Sequence, residues 1–196
     1  MTGDNYNPFD TTRPIIPEVF GHAAYAERRL PDGLLAQWER SPLPEGVSVT
    51  RVMLVPYRGE RPVLAWRDRR FWLPEGDVHD GEVVESAARR VALEQIGVST
   101  LTAEHLGHLH CRATSASKSQ AEGTETYRVM YAVDVQELAD FPSDTSNERR
   151  IATQRDMNDM IRSHYVELRR EYMEVIDLVV LERRKAAAQA ASGSGV

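Results

Sequence analysis

The stretch that most constrains the fold of this chain is residues 73–98, LPEGDVHDGEVVESAARRVALEQIGV. Its first part is dense in acidic residues and indicates a loop, and its second part predicts a helix over residues 83–95. Gly81 precedes this helix and Gly97 closes it, where glycine commonly ends a helix because it adopts left-handed backbone angles without strain. The sequence therefore predicts a loop, a helix and a second loop in direct succession.

The same stretch resembles the Nudix box, the loop–helix–loop signature of the Nudix hydrolases, written G-x5-E-x7-R-E-U-x-E-E-x-G-U with U an aliphatic residue. The positions that match are Gly76, Glu82, Arg90, Glu94, Gly97 and Val98. Val91 stands where the family has its first helix glutamate, and Gln95 stands where it has its third. The resemblance covers roughly residues 47–181. It implies an α/β fold, a Nudix-like α/β/α sandwich with a mixed β-sheet and a long C-terminal helix.

Metal-dependent cleavage of a diphosphate is the chemistry that this resemblance implies, with Mg²⁺ or Mn²⁺ as the cofactor. A helix places positions i, i+3 and i+4 on one face, so carboxylates at that spacing can hold metal and polarise water. Here Glu94 keeps its charge, Gln95 offers a neutral carbonyl oxygen, and Val91 offers no ligand. Because loss of a positioned general base costs about 10²- to 10⁴-fold in rate, we expect reduced or altered activity.

The resemblance also implies roles for single residues of the box. Glu94, Glu82, Gln95 and Glu75 are the predicted metal ligands, and Glu75 is expected to act through its backbone carbonyl or its carboxylate. Gly76, Arg90 and Gly97 are predicted to be structural, with Arg90 bonded to Glu82 so that the loop is tied to the helix. The acids of the loop can equally be solvated charges near a helix start.

One further acid is expected from outside the box. Glu148, in the segment SNERRIATQRDM, resembles the position from which the family takes a glutamate after the last long strand. We therefore predict Glu94 and Glu148 as the catalytic residues, with Asp144 as the second choice for the outer position. A surface charge without a catalytic role is the alternative for Glu148.

Strand patterns surround the box. Residues 47–57 predict a strand with Met53 and Val55 on one face and Val52 and Leu54 on the other. Further strands are predicted at residues 63–66, 71–73, 101–113, 124–135 and 151–153. Short helices are predicted at residues 22–29 and 33–40. Histidines on the strand at residues 101–113 are expected to be ordinary strand residues or metal ligands, and aromatic residues such as Trp66 and Phe71 to be core residues or base-stacking residues.

A single long helix is predicted over residues 158–185. Its apolar residues step by 4, 3, 4, 3 and 4 positions, and they are Ile161, Tyr165, Leu168, Tyr172, Val175 and Val179. Such a helix is longer than one small sheet needs, so its outer half is expected to pack on another part of the chain or to build a homodimer, and we favour the homodimer. The expected domain organisation is a flexible arm at 1–20, one Nudix-like domain at 21–186, and a flexible tail at 187–196.

Composition limits the partners and the location of the protein. The net charge is −6 and no dense run of Lys or Arg occurs, which argues against a dedicated nucleic-acid surface. No segment has the roughly 20 apolar residues of a membrane helix, and the first residues do not resemble a secretory signal. The single cysteine, Cys111, allows no disulfide within the chain, so the cytoplasm is the expected location.

Two functions follow from these observations. The first is hydrolysis of a diphosphate linkage in a nucleoside diphosphate derivative, with metal held chiefly by Glu94. The second is a catalytically impaired module with the Nudix fold that binds a nucleotide or has a regulatory role. Val91 and Gln95 are the substitutions that the second function predicts, and the sequence does not identify the substrate.

Overall fold

The strands form one nine-stranded sheet, and helices pack against both of its faces. The computed structural model describes residues 25–99, 101–140 and 148–193. The strands are β1 (Arg28–Arg29), β2 (Leu34–Glu39), β3 (Val49–Arg58), β4 (Arg61–Arg67), β5 (Arg70–Trp72), β6 (Glu75–Asp77), β7 (Leu101–Ala113), β8 (Glu125–Val135) and β9 (Glu148–Ile151). The helices are α1 (Val84–Ile96), α2 (Gln154–His164) and α3 (Arg169–Gly193), with a 3-10 turn at Val166–Leu168 before α3.

The sheet is mixed. Its strands lie in the order β1-β2-β7-β8-β3-β4-β5, and β6 pairs with β3 while β9 pairs with β4. β3 and β8 are parallel, and the other described pairs are antiparallel. Because parallel strands need a long crossover connection, the chain between β3 and β8 has room for the box and α1. The β4–β5 hairpin leads directly into the box.

Each face of the sheet carries its own core. Val52 and Leu54 of β3 pack with α1, whereas Met53 and Val55 pack with α2 and α3, as the alternation of side chains along a strand requires. We call these two sides the α1 face and the opposite face. The predicted α/β/α sandwich is confirmed, and so is the predicted alternation of Met53 and Val55 with Val52 and Leu54. Val49, predicted on the same face as Met53, instead packs on the α1 face, because the strand register shifts between Val49 and Arg51.

The segment before Pro42 forms a strand, and the helix predicted at residues 33–40 is wrong. β2 pairs with β7 along its length and buries every second side chain, Leu34, Ala36 and Trp38. The Trp38 ring lies so close to β7 that a Cβ on Gly107 would be 2.7 Å from it. Pairing with a distant strand therefore outweighs local helix propensity, which is a weak preference. Part of the helix predicted at residues 22–29 is likewise strand β1, and the predicted arm at 1–20 lies outside the described residues.

The C-terminal region forms two helices instead of the single helix predicted at residues 158–185. Helix α2 ends at Tyr165, whose φ of −118° and ψ of 48° leave the helical region. Helix α3 is long, as predicted, and runs on to Gly193. The stripe that includes Ile161, Tyr172 and Val175 is buried on the opposite face of the chain's own sheet. One chain therefore accounts for the apolar stripe from which a homodimer was predicted.

Within the described ranges, no helix is both long enough and apolar enough to cross a membrane.

Packing of α3 on its own sheet gives a stability prediction. Ile176 is 1% exposed in the core of the opposite face, so Ile176→Ala should lower the free energy of unfolding by about 2–5 kcal/mol. The neighbouring exposed residue provides a control, and Asp177→Ala should change it by roughly 0.5 kcal/mol or less. Urea unfolding measures both variants. A midpoint that rises with protein concentration would place α3 in an intermolecular interface, and equal effects of the two variants would contradict the burial of Ile176.

Candidate active site

One guanidinium connects the box loop (residues 75–83) with α1. Arg90 donates through Nε and Nη2 to the two carboxylate oxygens of Glu82, at 3.0 and 2.8 Å, and through Nη2 to the Asp77 carbonyl at 2.8 Å. Its Nη1 lies 3.6 Å from a carboxylate oxygen of Glu94, one helical turn further on. Bidentate arginine–carboxylate pairs are strong and fix geometry. The predicted tie between Glu82 and Arg90 is present, and it brings the Glu82 and Glu94 carboxylates to the same guanidinium.

The Glu82 carboxylate is stabilised in its ionised form. Hydrogen bonding from Arg90, and then from the backbone N–H of His79, lowers the pKa of Glu82 to about 2. Both of its oxygens accept hydrogen bonds within the box. Glu94 is the more accessible of the two carboxylates, with a side chain that is 55% exposed against 15% for Glu82. Of these two carboxylates, Glu94 is therefore the better placed to meet a ligand.

The side-chain amide of Gln95 binds the backbone of the loop. Its Oε1 accepts from the Glu75 N–H at 3.2 Å, and its Nε2 donates to the Glu75 carbonyl at 2.6 Å. An amide fulfils both roles because it has a donor and an acceptor, whereas an ionised carboxylate only accepts. Gln95 and the Glu75 carbonyl, two of the predicted metal ligands, are thus engaged with each other. The sequence did not reveal this pairing, because the two residues are separated by the loop and most of α1.

Val91 fills space beneath the loop. It is fully buried on the α1 face, and a Cβ added at Gly76 would lie only 2.7 Å from its Cγ2. The glycine at this position is therefore required by close packing between loop and helix. The position at which the family carries its first helix glutamate has become part of the hydrophobic core.

The end of α1 is held by an arginine that sequence analysis missed. Gly97 has a φ of 63°, the left-handed conformation expected for a glycine that closes a helix. Arg149 of β9 donates to the carbonyls of Ile96 and Gly97 and makes a shorter contact with the Ala139 carbonyl. A cation at a helix C-terminus is favourable because the unpaired carbonyls there carry negative partial charge. The only sequence signal is its position next to Glu148, because the contact spans about fifty residues of chain.

Two predicted site residues lie on the opposite face. Glu75 is the cross-strand partner of Met53, so its carboxyl leaves the sheet away from α1. Burial raises the pKa of that carboxyl, and the nearby Arg51 opposes the shift. Glu148 is the partner of Trp66 in β4 and lies 3.4 Å from Arg150. Since cross-strand partners share a face, the structure does not bring the carboxyl groups of Glu75 and Glu148 to those of Glu82 and Glu94.

The carboxylates of the box fit a metal ion that is bound together with a phosphate ligand. Among the described residues no three His, Cys, Asp or Glu side chains are grouped so that they can hold a metal ion. Glu82 and Glu94 are two carboxylates at one guanidinium, and Mg²⁺ is commonly bound through one or two carboxylates together with substrate phosphates. Glu82 and Glu94 therefore fit a cation that is also bound by a diphosphate better than they fit a metal site formed by protein side chains alone.

The strand histidines form a separate cluster on β7 and β2. His108 is fully buried, and its Nε2 lies 3.4 Å from the Glu39 carboxylate, which is also 3.7 Å from Nδ1 of His110. Burial lowers the pKa of His108, while Glu39 opposes the shift. The His110 ring stacks on Tyr127 at 4.9 Å. These histidines are strand residues within a polar cluster that none of the box residues joins.

A comparison with family models matches the NUDIX domain at residues 47–165, which is more than half of the chain. Among solved structures, the chain is similar to a pyrophosphohydrolase of Bacillus subtilis, with 17% identity and a TM-score of 0.53 over 83% of this chain and 97% of that one. It is also similar to the dihydroneopterin triphosphate pyrophosphohydrolase of E. coli, with 13% identity and a TM-score of 0.46 over 66% and 99% of the two chains.

A third similar structure is the NUDIX domain of Shewanella oneidensis NrtR, solved with ADP ribose. It has 18% identity and a TM-score of 0.41 over 58% of this chain and 78% of that one. At these identities the likeness concerns the fold. No curated protein sequence matches the chain.

The buried position of Val91 gives a second stability prediction. Val91→Glu places a carboxylate in the core beneath Gly76, and an uncompensated buried charge should lower the free energy of unfolding by about 3–5 kcal/mol. Leu93→Glu is the matched control on the same helix, because Leu93 is 43% exposed, and it should cost roughly 0.5 kcal/mol or less. Chemical denaturation measures both variants. Equal stabilities would mean that the loop opens readily above Val91.

The buried carboxyl of Glu75 gives a prediction on pH. Because its folded-state pKa is raised, the neutral form is favoured in the folded protein, and this contribution to stability is lost as the pH rises through the folded pKa. Glu75→Gln should therefore raise the melting temperature at pH 7, and the gain should shrink as the pH falls through the raised pKa toward the ordinary value of 4.5. Thermal unfolding between pH 4 and 7 tests this, with the exposed Glu60→Gln as control. A gain that does not depend on pH would contradict the assignment.

Proposed function

Because the chain belongs to the NUDIX domain family, we propose that it hydrolyses a diphosphate linkage in a nucleoside diphosphate derivative, with a divalent metal and more slowly than a complete box would. The observation that carries the proposal is the convergence of Glu82 and Glu94 on Arg90. This contact keeps two carboxylates and one guanidinium at the junction of the box loop and α1. A positive charge is needed to stabilise a phosphate, and a carboxylate is needed to activate water.

Mg²⁺ or Mn²⁺ is the proposed cofactor, held by Glu82 and Glu94 together with the phosphates of the ligand. When bound, it neutralises phosphate charge and makes phosphorus more susceptible to attack. Gln95 and Glu75 are left out of this ligand set, because the Gln95 amide is hydrogen-bonded to the backbone N–H and carbonyl of Glu75. Glu148 is left out because it lies beside Arg150 on the opposite face.

The residues of the chain then act on water and on the phosphate. Water attacks a phosphorus, the bond to the bridging oxygen breaks, and Glu94 accepts the proton that the water loses. Glu94 suits this role because its carboxylate is the exposed one of the pair. Arg90 positions that carboxylate and places a fixed positive charge near the phosphate. The rate is expected to be low, because Glu94 must serve both the metal and the water.

A second candidate function is a nucleotide-binding module without turnover. Two box positions with structural roles favour this function. Val91 is buried in close contact with Gly76, and Gln95 hydrogen-bonds the backbone of Glu75. In that case a nucleoside diphosphate derivative would bind near Arg90 and remain intact. The homodimer through α3 and the cytoplasmic location stay predictions, and so do the proposed domain bounds of 1–20, 21–186 and 187–196.

Release of phosphate and nucleotide from a panel of nucleoside diphosphate derivatives, with Mg²⁺ and then with Mn²⁺, tests the proposal. We expect slow, metal-dependent turnover that falls by about 10²-fold or more in Glu94→Gln. Glu85→Gln is the matched control, because Glu85 makes the same kind of i,i+4 pair in α1, with Arg89, and should keep the wild-type rate.

The outcomes separate the two functions. Equal rates in Glu94→Gln and in the wild type would remove Glu94 from the catalytic site. Absence of turnover with every substrate, together with a nucleotide-dependent rise in melting temperature, would identify the binding module.

A further inference from the structure

A cavity of about 270 Å³ lies on the opposite face, between the outer half of α3 and the sheet. Glu104 and Leu106 of β7 line it from the sheet, and Leu178 and Glu182 line it from α3. We call it the α3 cavity. Small-molecule sites have volumes of roughly 300–1,000 Å³, so a cavity of this size suits a few apolar side chains of a protein segment better than a complete ligand.

The edge of β7 beside the α3 cavity is unpaired. β8 pairs with β7 from Leu101 to Arg112, whereas β2 pairs only with residues 108–113. Among the described residues no strand pairs with the other edge of residues 101–106. Natural proteins commonly cover such an edge with a loop or a helix, because its free N–H and C=O groups attract other strands. A further segment of chain is therefore expected along this part of β7.

The α3 cavity also holds a carboxylate that lacks an ion-pair partner in the described ranges, that of Glu104. Burial raises the pKa of the Glu104 carboxyl, and Arg183 opposes the shift, but Arg183 is bonded to Asp134 at 3.0 Å. Glu182, the second acid of the cavity, lies 2.7 Å from Lys185. A positive charge that an occupant brings to the cavity would therefore be stabilised by Glu104.

The described chain begins close to the α3 cavity. Tyr25, its first residue, donates from its hydroxyl to Glu174 of α3 at 2.8 Å, and its carbonyl accepts from Gln37 near the end of β2 at 3.0 Å. Glu174, Leu178 and Glu182 follow one another at intervals of four, so they lie along one side of α3, with about 6 Å between successive residues. The contact of Tyr25 with α3 is therefore about one helical turn from the cavity.

Strand pairing directs the residues before Tyr25 toward the cavity. β1 is antiparallel to β2, with Arg28 opposite Ala36, so the chain that precedes β1 runs toward the end of β2 at Glu39. Glu39 pairs with His108, and beyond this pair the described sheet continues with the unpaired part of β7. The residues that lead into Tyr25 thus approach the uncovered edge and the outer half of α3 together.

The sequence of the preceding segment suits the α3 cavity. Residues 13–20 read RPIIPEVF, with four large apolar residues, and proline favours an extended chain. Alternate residues of an extended chain share one side, so Arg13, Ile15 and Val19 lie together and Glu18 lies on the other side. Six extended residues span roughly 20 Å, which exceeds the about 12 Å from Glu174 to Glu182. Val19 can therefore reach the cavity from Tyr25.

We propose that residues 13–20 bind in the α3 cavity of their own chain, with Val19 against Leu106 and Leu178 and with Arg13 paired to Glu104. The segment covers the unpaired edge of β7 and holds the outer half of α3 without a second copy of the chain. It is the alternative to a homodimer through this helix. No residue of the box loop or α1 lines the cavity, so the inference does not depend on the proposed hydrolysis.

Disulfide trapping in the full chain tests the inference. The single cysteine, Cys111, is buried, and burial raises the pKa of its thiol to about 11, so it does not compete with introduced thiols. Val19→Cys combined with Glu182→Cys should form an intramolecular disulfide at least tenfold faster than Val19→Cys combined with Ala116→Cys. Ala116 is the matched control, because it lies beside Gly33 at the start of β2, within reach of a segment that is not bound.

The products of oxidation decide between the possible occupants of the cavity. Equal rates for the two cysteine pairs would mean that the cavity does not hold residues 13–20. Disulfide-linked dimers of the first pair would assign the cavity to the segment of a second copy. Either result would overturn the inference.

Melting temperatures of full-chain variants test which side of the segment enters the cavity. Val19→Asp should lower the melting temperature by roughly 3–6 °C, because it places a charge against Leu178. Ile16→Asp is the matched control and should change it by roughly 1 °C or less, because Ile16 lies on the other side of the extended segment. Equal effects of the two variants would contradict the contact proposed for Val19.

Discussion

The Arg90 guanidinium is the point at which strand, loop and helix are joined. It bonds the end of β6 through the Asp77 carbonyl, the loop through Glu82, and α1 through Glu94. A planar group with several fixed donors can serve three partners at once, which a lysine cannot do with the same geometry. The relative placement of the Glu82 and Glu94 carboxylates therefore depends on this group.

The two departures from the family pattern perform related structural tasks. Val91 fills the space under Gly76, and Gln95 hydrogen-bonds both backbone groups of Glu75. Carboxylates at these positions would repel each other and would need a cation to be held together. A methyl group and an amide hold the same loop without a cation. The contact between loop and helix at these two positions is therefore made by uncharged groups.

Local patterns predicted those parts of the structure that depend on neighbours in the chain. The alternation of Val52 and Leu54 with Met53 and Val55 follows from strand geometry, and Gly97 ends α1 through its own backbone freedom. The strand β2 was missed, because its partner β7 lies about 70 residues further along the chain. Arg149 was missed for the same reason, and Glu148 was predicted by family order although β9 places its side chain away from α1. Contacts over long sequence separations leave no local signal, and these contacts decide which charges meet.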